Sequence, residues 1–131
     1  METAGTRTAS TESRHISIVD DDAAIRDALK SLMRSARFNV DAFGSAEEFL
    51  ASDRVHDTEC LILDVYLPGM TGFELQERLR KKRKNIPIIF ITAHADDASR
   101  SRALKGGAVD LLGKPVRREA LFQAIQSAIR S

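Results

Sequence analysis

The segment IVDDDAAIRDAL, residues 18–29, ends an apolar run on three adjacent carboxylates, Asp20, Asp21 and Asp22. Two like charges about 4 Å apart repel by on the order of 4 kcal/mol at a near-surface effective dielectric. Further chemistry-bearing residues sit at the ends of other apolar runs: Asp64 closes ECLILD, Thr92 closes IPIIFIT, and Lys114 follows AVDLLG. Carboxylate oxygens without His or Cys partners suit a hard cation, Mg²⁺ first, with Mn²⁺ able to substitute. Such an ion offsets the repulsion and keeps the acids ionised. Mg²⁺ held by few carboxylates retains positions for water and phosphate oxygens. An ionised aspartate beside it is a competent nucleophile toward phosphorus, forming an aspartyl-phosphate. Lys114 and the Thr92 hydroxyl can hold the remaining phosphate oxygens. Taken singly, each residue has a plainer reading: a helix cap, a β-propensity choice, a solvated loop lysine. The chemistry needs a fold that brings them together.

The order of elements supplies one. His15 to Asp20 reads as a strand, and Ile25, Leu29, Leu32, Met33 and Ala36 recur at helical spacing. Phe38 to Phe43 is a second strand, and Ser45-Ala46-Glu47-Glu48 is a capping box opening a second helix. Glu59 to Asp64 is a third strand. LPGMTG, residues 67–72, is turn chemistry leading to a third helix with Phe73, Leu75 and Leu79, which ends in the basic run Arg80 to Lys84. That run suits a helix C-terminus better than a nucleic-acid site. Ile86 to Thr92 is a fourth strand. A fourth helix starts near Asp96 and stops at Gly106-Gly107, Ala108 to Leu112 is a fifth strand, and Val116 to Arg130 a fifth helix. Asp22 falls where negative charge favours a helix N-terminus. Alternating βα units with continuously apolar strands predict an α/β three-layer sandwich, (βα)5, with a parallel five-stranded sheet. Right-handed crossovers restrict the topology to two plausible arrangements of five strands, of which the order 2-1-3-4-5 is the flavodoxin-like one. Ligands then sit at the carboxyl ends of the strands, where Asp20, Asp21, Asp64, Thr92 and Lys114 all converge.

Composition fits this. The chain has 131 residues, with 43% hydrophobic and 30% charged, and a net charge of +1. That is one domain of ordinary size, without a basic field for nucleic acid. Cys60 is the only cysteine, so no internal disulfide forms, and its apolar setting points to a buried inert thiol. The apolar runs are too short to span a membrane. Residues 1–14 lack the apolar stretch of a secretory signal and read as a disordered tail before a domain at 15–131. The simplest location is the cytoplasm.

IVDDD, LILDVYLPGMTGFEL, IIFITA and GKP, in this order and spacing, resemble the receiver domain of bacterial two-component response regulators. SAEEFL, LPGMTG and KGGAVDLLGKP resemble the FixJ-like branch. The resemblance spans residues 15 to 130. It implies that Asp64 is the phosphoacceptor, taking a phosphoryl group from a sensor histidine kinase. It implies Asp21 as a direct Mg²⁺ ligand, Asp20 acting largely through water, and the Tyr66 backbone carbonyl as the third protein ligand. Thr92 would signal the phosphate, Lys114 would pair with it, and the Lys114-Pro115 bond would be cis. Tyr66 and His94 occupy variable positions that tune dephosphorylation. Such a domain is a signalling phosphoacceptor with only self-directed phosphotransfer, not a turnover enzyme. The fourth helix, fifth strand and fifth helix are the usual signalling and dimerisation face, to which Arg100, Arg102, Lys105, Arg117 and Arg118 contribute as candidates. The resemblance further implies control of a C-terminal DNA-binding output domain, or else a stand-alone receiver.

One departure stands out: Leu111 occupies the position where the family carries an aromatic switch, and it cannot make the same aromatic swing. Leu67 for the commoner Met conserves volume. The nearest rival is a haloacid-dehalogenase-like phosphohydrolase, whose Asp-x-Asp Asp20 and Asp22 mimic. That family needs further acids after the lysine, where this chain has Pro115, Val116 and two arginines. A nucleotide binder is disfavoured because no Gly-rich loop follows the first strand.

Overall fold

The computed structural model describes residues 14–130. The tail expected at 1–14 lies outside the described residues except for Arg14, whose guanidinium pairs with Glu59 at 3.1 Å. The elements run β1 (His15–Val19), α1 (Ala23–Ser35), β2 (Asn39–Phe43), α2 (Ala46–Ala51), a 3-10 turn (Asp53–His56), β3 (Cys60–Asp64), α3 (Gly72–Lys81), β4 (Ile88–Thr92), α4 (Asp97–Lys105), β5 (Asp110–Gly113) and α5 (Arg118–Arg130). The strands form one sheet in the order β2-β1-β3-β4-β5, every pairing parallel, as the alternation of elements predicts.

Strand side chains alternate between the two faces, and each face is buried against helices. Ile16, Ile18, Cys60, Ile62, Ile89 and Ile91 join Leu29 and Met33 of α1 and Leu121, Ile125 and Ala128 of α5. Val19, Leu61, Leu63, Phe90 and Leu111 join Phe49 of α2, Leu75 and Leu79 of α3 and Ala103 of α4. Both faces of β3 and β4 are covered, so their residues are apolar at every position up to Asp64 and Thr92. Fully burying one such Ile or Leu contributes about 1.5–3 kcal/mol.

Capping residues fix where the helices start, and therefore where the strand-end loops run. The Asp22 carboxylate accepts from the N–H groups of Ala24 and Ile25, and Asp96 from that of Ser99. The box expected at Ser45 is only half formed. Its hydroxyl accepts from Glu48 N–H, but the Glu48 carboxylate accepts from Gly44 N–H at 2.9 Å, not from Ser45. The reciprocal box lies one helix later: Thr71 accepts from Glu74 N–H, and Glu74 from Thr71 N–H at 2.8 Å. The fifth strand also begins later than expected. Ala108 N–H closes the end of α4 by donating to the Ala103 carbonyl at 3.0 Å, which removes it from the ladder.

Candidate functional site

Four adjacent strands deliver polar residues to one edge. Asp20 follows β1, Asp64 ends β3, Thr92 ends β4, and Lys114 follows β5. The register aligns them: Val19 pairs with Leu63, Asp64 with Ile91, and Thr92 with Gly113. Lys114 N–H donates to the Thr92 carbonyl at 2.8 Å, extending that ladder to the lysine. The Lys114-Pro115 peptide bond is cis.

Carboxylate oxygens of Asp20, Asp21 and Asp64 lie within 4.8 Å of one another. Asp20 and Asp64 are buried, whereas Asp21 is exposed. The Lys114 ammonium stands between the two buried acids, 2.9 Å from Asp20 Oδ2 and 3.1 Å from Asp64 Oδ2. Only the contact to Asp64 has hydrogen-bond geometry, so the fully buried Asp20 Oδ2 lacks a hydrogen-bond partner. Its other oxygen accepts from Asp22 N–H at 2.9 Å. A buried carboxylate oxygen served only by the Lys114 ammonium, beside two further carboxylates, fits a hard cation.

Burial raises Asp64 above the ordinary carboxylate range, and the neighbouring Asp20 charge adds to this. Lys114 and the Tyr66 N–H offset only part of it. Burial works against the Lys114 ammonium, but its contacts with Asp20 and Asp64 outweigh burial and hold the group above its usual pKa. The site without an ion thus holds one cation against three acids. Thr92 is fully buried, and its Oγ1 accepts from His94 N–H at 3.1 Å, leaving the hydroxyl proton for another acceptor. Tyr66 is 54% exposed, its ring edge-on to His94 with centroids 5.9 Å apart.

Three residues that spacing alone passed over shape this edge. Arg26 of α1 donates through Nη1 to the Asp20 carbonyl at 2.7 Å, tying the helix back to the strand end. Glu47 of α2 accepts from Met70 N–H at 3.0 Å and so anchors the loop after β3. That backbone hydrogen bond lowers its pKa. Gly72 opens α3 directly against β3: a Cβ there would lie 2.3 Å from the Asp64 carbonyl oxygen. The glycine after the T of LPGMTG is the one readable signal among the three.

The arginines expected on one common face divide. Arg100 reaches across to Asp110 of β5 at 2.8 Å, whereas Arg102 stacks 4.4 Å from the centroid of Phe73 on α3, away from β5. Arg118 lies 5.8 Å from the Phe122 ring centroid. Cys60 is fully buried, and burial pushes its thiol up to about 12.

Residues 16–126 match the family described as the response regulator receiver domain. Nodulation protein W of Bradyrhizobium diazoefficiens is 48% identical over 111 residues, covering 85% of this chain and 49% of that protein. The transcriptional regulatory protein FixJ of the same organism is 41% identical over 116 residues, covering 88% of this chain and 57% of that protein. Among solved structures, that of the response regulator StyR superposes with a TM-score of 0.83 at 44% identity, covering 89% of this chain and 59% of that one. The chain therefore spans about half the length of the curated relatives it matches.

Proposed function

We propose, from the premise that this chain belongs to the response regulator receiver domain family, that Asp64 is its phosphoacceptor. The observation that carries the reading is the meeting of Asp20, Asp21 and Asp64 within 4.8 Å, with Lys114 between the two buried acids. An Asp64 carboxylate oxygen attacks phosphorus on the phosphohistidine of a sensor histidine kinase. The P–N bond breaks, its electron pair leaves with the imidazole, and an acyl phosphate remains. Lys114 then exchanges its Asp64 contact for a phosphoryl oxygen, and Thr92 donates its free hydroxyl proton to another. A divalent cation, Mg²⁺ or Mn²⁺, held by Asp20, Asp21, Asp64 and the Tyr66 backbone carbonyl, would neutralise phosphoryl charge when bound.

On this reading the domain, residues 15–131, is a cytoplasmic signalling phosphoacceptor whose only transfer is to itself. Thr92 passes the phosphorylated state to the face of α4, β5 and α5, which would support homodimerisation and control of a DNA-binding output domain. Leu111 is fully buried in the cluster with Phe73, Phe90 and Ala103. It packs there as a core residue, and any path from Thr92 to the surface would run without an aromatic swing at 111.

Labelling with acetyl phosphate tests this. The chain is expected to take up one phosphoryl group in the presence of Mg²⁺, and Asp64→Ala to take up none. Equal labelling of Asp64→Ala overturns the assignment. Steady turnover of small phosphate esters that disappears in Asp20→Ala would favour a phosphohydrolase instead.

A further inference from the structure

We propose that the cleft between the β3–α3 loop and α4 is a docking site for a partner-protein segment that places an apolar side chain next to a carboxylate. The cleft encloses about 250 Å³ and is walled by Val65, Tyr66 and Thr71 from the loop after β3, Phe73 from α3, and Ala98, Ser99 and Arg102 from α4. No Asp or Glu lines it, so Arg102 gives it a single, positive charge.

The state of Arg102 is the main indication. Among the described residues its guanidinium makes no hydrogen bond or ion pair and lies over the Phe73 ring, 4.4 Å from the centroid. Arg100, two residues earlier, is tied to Asp110. A stacked guanidinium keeps its face on the ring and its N–H edge outward, ready for bidentate pairing with a carboxylate. Phe73 is itself pinned by Phe90, centroids 5.0 Å apart, so the stack stands on a fixed base. Tyr66 leaves more than half its surface exposed at the rim, and Val65 and Phe73 provide an apolar floor. An exposed aromatic beside an arginine with unused donors is the composition of an interface centre. The apolar floor selects a hydrophobic side chain, and Arg102 selects a neighbouring acid. A basic segment meets no complement there. The site stands on this geometry alone and does not depend on Asp64 being phosphorylated.

The test titrates the ¹⁵N-labelled chain with acetyl-Asp-Glu-Phe-Asp-amide at low salt, following the Ser99 amide and the Arg102 side-chain N–H. Both resonances are expected to shift and saturate at about millimolar peptide. Arg102→Gln is expected to weaken binding about fivefold or more, since a charge-assisted pair is lost. Replacing Phe by Ala in the peptide, or its acids by Asn and Gln, should do the same. Ala98→Leu, which fills the cleft from an exposed wall, should block binding without lowering the unfolding midpoint. Shifts that never saturate, or an affinity that Arg102→Gln leaves unchanged, overturn the proposal. So does equal competition by an oligothymidylate, which would make the cleft a phosphate site. Sedimentation in which Arg102→Gln dissociates a dimer while the peptide fails to bind would make it a contact between copies, and also overturns it.

Discussion

Replacing Gly72 by alanine should destabilise the domain, against the ordinary trend. Within a helix, alanine is favoured over glycine by about 0.8–1 kcal/mol. Gly72 is the first residue of α3, and among the described glycines positive φ occurs at Gly69 and Gly107, not at Gly72. Conformational preference alone therefore favours the substitution. Space opposes it. The new Cβ would stand 2.3 Å from the Asp64 carbonyl oxygen, 3.0 Å from Val65 Cα and 3.2 Å from the Asp64 carbonyl carbon. All three are backbone atoms, so no rotamer change relieves the contact. Forcing a methyl into such a site costs about 1–3 kcal/mol. Moving α3 away to make room also stretches the bond from Gly72 N–H to the Val65 carbonyl, 2.9 Å long. A hydrogen bond of this kind contributes about 1 kcal/mol. The balance is a loss of about 1–3 kcal/mol, or roughly 1 M in urea midpoint for a domain of this size. Gly44→Ala is the control, because its Cβ would meet only side-chain atoms at ordinary contact distance, Arg26 Nη1 at 3.4 Å and Arg26 Cζ and Glu48 Oε1 at 3.8 Å. It should change the midpoint little. Far-UV circular dichroism in urea measures both. A Gly72→Ala midpoint equal to or above the parent's refutes the reasoning. The same variant, assayed well below its unfolding temperature, should label more slowly with acetyl phosphate, because its strain falls on the Asp64 main chain.

Asp64→Asn should raise the melting temperature of the metal-free protein at neutral pH. Burial and Asp20 hold the native Asp64 pKa above the unfolded value of 3.8, so its ionised form lowers stability above the raised pKa. The advantage of the variant should shrink as pH falls toward that unfolded value, and also when Mg²⁺ stabilises the parent; a gap unaffected by either contradicts the electrostatic account. Asp21→Ala should weaken Mg²⁺ binding by calorimetry, whereas Asp22→Ala should leave it nearly unchanged and cost about 1 kcal/mol through lost capping. Cys60 should resist Ellman's reagent at about pH 8 in the native state and react on unfolding. Its thiol is raised from 9.0 to about 12. The native state therefore favours the protonated form, and stability should decline as pH climbs through that window.

The site was legible wherever chemistry coincided with a strand end. Asp20, Asp64, Thr92 and Lys114 each interrupt or follow an apolar run, and a parallel sheet gathers the ends of such runs at one edge. The same alternation leaves two strand orders plausible, and the sheet has the flavodoxin-like one. Boundaries were less legible because capping competes with pairing: Ala108 looks like a strand residue and is spent closing α4. Ser45 and Glu48 have the spacing of a capping box, yet the Glu48 carboxylate accepts from Gly44 N–H instead. Thr71 and Glu74 have the same spacing and do form one, so the pattern alone does not decide between them. Arg26 and Glu47 were invisible for a different reason. Long side chains that reach the backbone of another loop leave no period in the sequence. The turn of Arg102 toward Phe73 rather than β5 is a packing choice that helical spacing does not determine.

The Glu47 anchor has a consequence for how quickly the site can work. The segment from Val65 to Thr71 is pinned by Tyr66 N–H on Asp64, Met70 N–H on Glu47 and Thr71 N–H on Glu74. A free segment would lose about 1–2 kcal/mol of backbone freedom per residue on ordering. Here that freedom is surrendered during folding, before any ion or phosphoryl donor arrives. An incoming group therefore meets a rim already in shape, and encounter need not wait for the loop to find it. Because the bond from Met70 also keeps Glu47 ionised at lower pH than a free carboxylate, this readiness should persist into mildly acidic conditions.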